Sequence, residues 1–204
     1  MLRTTPKLLK NWPMPKLART SRSDMTVQGA GVPMGTIRVW DPLVRIFHWT
    51  LVLSFVTAWL TAGWAEELHQ LAGFYAAGAT VLRIVWGVWG TPFARFSQFV
   101  RSPAIVVDYL RAMSEGHEER YIGHNPAGGA MVVTLMGMIT AAVITGWMMT
   151  TDTYFGVAWV GILHSFVVHG LAMLVLVHIS GVAIASFRHK ENLLMAMFSG
   201  RKRA

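Results

Sequence analysis

Four histidines lie inside long apolar stretches of this 204-residue chain: His48, His69, His164 and His178. An ionisable side chain in such surroundings is costly and tends to be functional. A neutral imidazole can ligate a metal, relay a proton or simply satisfy a hydrogen bond. On a helix, at about 100° per residue, the 14-residue spacing of His164 and His178 brings them within roughly 40° of one face. At about 1.5 Å per residue they are about 21 Å apart along the axis. That separation suits two stacked sites in one helical bundle. The remaining two histidines pair with them by depth, His69 with His164 and His48 with His178. Two imidazoles facing each other at one depth suit the axial positions of a six-coordinate haem, and iron ligated on both sides favours electron transfer over oxygen binding. A lone intramembrane histidine is often a packing residue, and a set of four can also form a proton or metal relay. The two matched levels favour ligation.

Other residues bear on the same chemistry. Arg83 follows His69 by the same offset of 14 residues, so it faces the same way at the level of His48 and His178. A buried guanidinium needs an anion, and the apolar runs contain no acid; a haem propionate would supply one. Snorkelling to lipid phosphates is the alternative. Arg45, one turn before His48, has the same two options. Gly73 and Gly181 lie close after His69 and His178 and leave room for a flat macrocycle, or else for close helix packing. His169 points off the face shared by His164 and His178. His124, in Gly123-His124-Asn125-Pro126, marks a helix start from which it could touch a propionate. His117 and His189 sit in polar segments. The 13 methionines are scattered, and the histidine set leaves no axial position for one. With no cysteine in the chain, disulfides, thiolate metal sites, iron–sulfur clusters and haem attached through C-x-x-C-H are excluded.

Positioning these groups requires long apolar helices, and the composition supplies them. The chain is 53% hydrophobic and 14% charged, with a mean hydropathy of +0.44, whereas soluble domains carry about a quarter charged residues. Four apolar runs, about 43–63, 68–90, 127–149 and 157–187, are each long enough for a hydrocarbon core of about 30 Å. Backbone groups in lipid must be satisfied internally, so the runs must be helical. The expected fold is an all-α, integral membrane four-helix bundle with two haems between the helices. Residues 1–35 read as a basic, disordered cytoplasmic tail with prolines at 6, 13 and 15. It lacks the apolar run of a signal peptide, and Met25 or Met34 are alternative starts. The four-span domain is expected over 36–204. Between spans two and three, Ser102-Pro103 reads as a capped helix start. Ile105, Val106, Tyr109, Leu110 and Met113 then give an amphipathic helix lying on the membrane surface.

All 18 Lys and Arg residues fall in the tails, the long loop or the adjoining ends of the spans. The two short connections carry Glu66, Glu67 and Asp152 instead. Both termini and the long loop are therefore expected on the cytoplasmic side. Trp40, Trp64, Trp89 and Trp159 read as interfacial belts. The net charge of +8 reads as topology and attraction to anionic lipid rather than nucleic-acid binding. No Rossmann fingerprint, P-loop, HExxH or nucleophile elbow is present.

At these residues the chain resembles the bacterial cytochrome b561 and nickel-hydrogenase b-type cytochrome family. The matching stretches are Val39-Trp40-Asp41-Pro42 through Arg45-Ile46-Phe47-His48-Trp49, and His69-Gln70-Leu71-Ala72-Gly73 with Leu82-Arg83 and Trp86. Gly123-His124-Asn125-Pro126, His164 with His178, Arg188 to Leu193 and Gly200 to Arg203 complete the match. The resemblance implies four spans and two haems b, with ligands from spans one, two and four carried onto His48, His69, His164 and His178. It also implies a conduit in the bacterial inner membrane between quinone and a redox partner protein such as a cytochrome c, hydrogenase or dehydrogenase. Ser165 stands where many members have Glu after the first span-four histidine, and His169 is a second departure. Two alternatives stay open: a self-sufficient quinone oxidoreductase acting on a small molecule such as superoxide, and a non-haem histidine-relay transporter.

Overall fold

The computed structural model describes residues 35–203, so the basic tail, apart from Gly35, lies outside the described residues. The element order is β1 (Thr36–Arg38), α1 (Pro42–Thr61), α2 (Glu66–Trp89), a 3-10 turn (Pro92–Ala94), α3 (Phe96–Phe99), α4 (Pro103–Glu115), α5 (Pro126–Met149), α6 (Ala158–Arg188), α7 (Leu193–Ser199) and β2 (Arg201–Arg203). Helices α1, α2, α5 and α6 are long and apolar enough to cross a membrane. Their outward residues, among them Leu53, Val81, Ile162, Phe166 and Phe187, are apolar and exposed, which suits a lipid solvent.

Local signals start the helices that hold the candidate ligands. Asp41 caps α1 by accepting from the Val44 amide at 2.9 Å, with Pro42 at the first position. Asn125 caps α5 through the Gly128 amide at 2.6 Å, with Pro126 next. Helix α2 has no side-chain cap, but Glu66 and Glu67 occupy its first turn, where negative charge complements the helix dipole. The serine cap expected on α4 does not form: Ser102 is at the cap position without a side-chain bond, and the fixed φ of Pro103 starts that helix.

Helices α1 and α2 pack as one hairpin and α5 and α6 as another, with α2 against α5 between them. Ser54 Oγ donates to the Ala72 carbonyl at 2.6 Å, tying α1 to α2. Among the described residues the two hairpins meet most extensively along α2 and α5. We call the end with the α1–α2 and α5–α6 connections the hairpin end. The opposite, ribbon end gathers α3, α4, α7 and an antiparallel pair in which Thr36 faces Arg203, Ile37 faces Lys202 and Arg38 faces Arg201. Gly200 makes the junction: φ is +77° and an added Cβ would fall 2.6 Å from the Trp40 carbonyl. Its own carbonyl accepts from the Val39 and Trp40 amides at 2.9 and 3.1 Å. Trp64, Trp89 and Trp159 are exposed at span ends. Trp40 departs from the expected belt; it turns inward onto His124, ring centres 4.7 Å apart.

Candidate functional site

At the hairpin end His69, in the first turn of α2, faces His164, in the second turn of α6. The ring centres are 6.3 Å apart and the planes nearly perpendicular, at 84°. Both rings are held by the protein. His69 Nδ1 lies 2.8 Å from the Ala58 carbonyl on α1; a carbonyl only accepts, so Nδ1 carries the proton. His164 Nδ1 lies 3.0 Å from Thr145 Oγ1 on α5. That hydroxyl donates to the Ala141 carbonyl at 2.8 Å, which leaves it to accept from His164. In both rings Nε2 is therefore the bare nitrogen, the tautomer a ligand needs, and the partner on Nδ1 raises its basicity. A ring separation of 6.3 Å is short enough for two imidazoles to share one metal. Gly146 permits the approach of His164 to α5, since an added Cβ would lie 3.1 Å from the imidazole Cε1.

At the ribbon end the polar groups are not satisfied. His48 on α1 and His178 on α6 both lie toward this end of their helices. Around them Arg45 Nε, His48 Nδ1, Trp49 Nε1, Arg83 Nη1 and His124 Nδ1 are buried without a hydrogen-bond partner. Thr80 Oγ1, one turn before Arg83 on α2, is likewise unpaired. Arg83 does not run out to the interface. Its Nη2 donates to the Ala94 carbonyl at 3.1 Å, and its guanidinium carbon sits 5.1 Å over the Phe96 ring. Asp41 is the nearest acid, but it is occupied. It accepts from Val44, from Trp86 Nε1 at 3.2 Å and from the Thr91 hydroxyl. Burial pushes its carboxyl up, and these bonds outweigh that and hold it below the usual value. Trp49 stacks on Phe198 of α7 at 4.2 Å, and Arg45 packs beside Gly200. Buried donors this concentrated call for an anion.

A flat, dicarboxylate macrocycle fits what is present: facing imidazoles, open flanks, and donors at one rim. An added Cβ at Gly73 or Gly181 would meet nothing within 4 Å, so neither glycine is there for close helix packing. Among the described residues no three or more His, Asp or Glu side chains converge on one point. Histidine pairs suit a metal whose other positions are filled by a ring. His169 lies elsewhere, exposed on α6, with Nδ1 bonded to the Ser165 carbonyl at 2.7 Å and its ring 5.4 Å from Trp59.

The profile of the prokaryotic cytochrome b561 family matches residues 39–200. The chain belongs to that family. No curated protein and no solved structure matches it at a significant level. The cytochrome is therefore a multi-pass, transmembrane b-type electron-transfer protein with haem b as cofactor. Thr145, Gly146 and the Ala58 carbonyl are parts of its hairpin-end site that sequence reading missed. A threonine in an apolar span is visible in the sequence, but most such residues bond only to their own helix. A backbone carbonyl carries no signature at all.

Proposed function

We propose that this cytochrome carries electrons between a redox partner protein and the membrane quinone pool through two haems b per chain. His69 and His164 ligate one haem and His48 and His178 the other. Arg83 and Arg45 hold propionates of the second. The ribbon end and both termini face the cytoplasm, by the distribution of Lys and Arg. Haem iron, when bound, supplies a one-electron couple. The chain's own part is to offer bare Nε2 atoms and to fix the ring planes. Two histidines on one haem would keep other molecules off its metal.

The observation that carries this reading is the His69–His164 pair, with a ring separation of 6.3 Å and both Nδ1 atoms engaged. Visible spectra of the purified protein, with a pyridine haemochrome count, test it. Sharp low-spin b-type bands at two haems per chain are the expected result. A folded protein with one haem or none overturns the assignment.

A further inference from the structure

His124 has no part in the ligation above, yet it is among the most tightly built residues at the ribbon end. Its ring is clamped between Trp40 and Phe99, with centres at 4.7 and 4.6 Å. The next residue, Asn125, locks the turn through its cap on Gly128. Inside this clamp Nδ1 is buried and unpartnered. An unmatched buried polar nitrogen is costly, and a phenylalanine would fill the same clamp without that cost. The positive charges of Arg83 and Lys202 reach the ring. Burial first, and those charges second, push the imidazole down to about 3, so at physiological pH it is neutral and offers one N–H.

We propose that His124 is a positioning residue that donates from Nδ1 to a carboxylate shared with Arg83, and that this carboxylate is a propionate of the haem held by His48 and His178. The inference rests on the haem reading for that pair. Arg83 keeps one arm on the Ala94 carbonyl and has Nη1 free; the charge of Asp41 reaches the guanidinium, but its carboxylate bonds Val44, Trp86 and Thr91 and makes no hydrogen bond to Arg83. A carboxylate at this point receives a charged donor from α2 and a neutral donor from the turn before α5. It thereby pins the turn to the bundle.

Redox titration of the purified holoprotein tests this, with His124→Phe and His124→Leu removing the donor and His124→Gln returning one. In the Phe and Leu variants one of the two midpoint potentials shifts to more negative values, because the propionate charge is less compensated. The other midpoint stays where it is, and Gln restores most of the shift. Leu keeps the test open should Phe fail to assemble. Two unchanged midpoints in the donor-free variants at wild-type haem content overturn the proposal while leaving the haem reading intact. So does a Gln variant that shifts as far as Phe. A wild-type protein without low-spin haem removes both.

Discussion

At the hairpin end each histidine of the pair has its Nδ1 engaged by the chain, His69 on the Ala58 carbonyl and His164 on the Thr145 hydroxyl. At the ribbon end His48 Nδ1 has no partner, and neither do buried nitrogens of Arg45, Trp49, Arg83 and His124. The first site is finished by protein atoms. The second has donors in surplus and is finished only by something that brings acceptors. The contrast has an electronic consequence. Imidazoles that donate from Nδ1 are more basic and favour ferric iron, whereas guanidinium charge that offsets the propionates favours the ferrous form. The ribbon-end haem is therefore expected to have the higher midpoint potential, which equilibrium redox titration with electron paramagnetic resonance of each haem measures directly.

The largest way to break the comparison is to remove a ligand. His69→Leu or His164→Leu should abolish one low-spin species, and His48→Leu or His178→Leu the other, each leaving about one haem per chain. Pyridine haemochrome counts check it, and loss of both haems from any single variant would mean that the sites are not separable. Next in size is Thr145→Val, which keeps the shape but removes the acceptor for His164. Haem affinity at the hairpin end should fall about 10–100-fold and that midpoint should rise, with the ribbon-end midpoint unmoved. Arg83→Gln should do the converse, shifting only the ribbon-end midpoint, to more negative values. Glu191→Gln should have the smallest effect. Burial pushes the Glu191 carboxyl up, but the Arg203 amide and the Lys202 and Arg120 charges prevail and hold it below the ordinary 4.5. Its stabilisation is thus present above pH about 4.5 and fades as pH falls through the lower folded value. The glutamine variant should lose that acid-side slope and about 1 kcal/mol at neutral pH, read as thermal melting in detergent across pH.

The spans were legible because apolar runs of membrane length are a strong local signal, and the meeting of His69 with His164 follows from their matched depths. The supports were not. The Ala58 carbonyl that orients His69 is backbone. The β1–β2 pair joins residues 36–38 to 201–203, two arginine-bearing triplets near opposite ends of the sequence that read locally as charged tails. Trp40 reads in the sequence as an interfacial residue because position near a span end is all that sequence reports. Only the tertiary contact with His124 distinguishes an inward ring from a lipid-facing one. Pro103 and Ser102 together signal a helix start, but whether the hydroxyl closes on a free amide depends on a rotamer that composition does not fix.

Both histidine pairs draw one partner from α6, and α6 is the last of the four spans to leave the ribosome. His48 and His69 enter the membrane on the first hairpin as half-sites and wait through the synthesis of about a hundred further residues. Neither pair exists until the fourth span is inserted, so the proposed ligation makes cofactor loading a late, post-insertion event. The same helix joins the two levels covalently. A single residue added or lost between His164 and His178 would turn one imidazole by about 100° relative to the other, so this stretch of the gene should tolerate substitution far better than insertion or deletion.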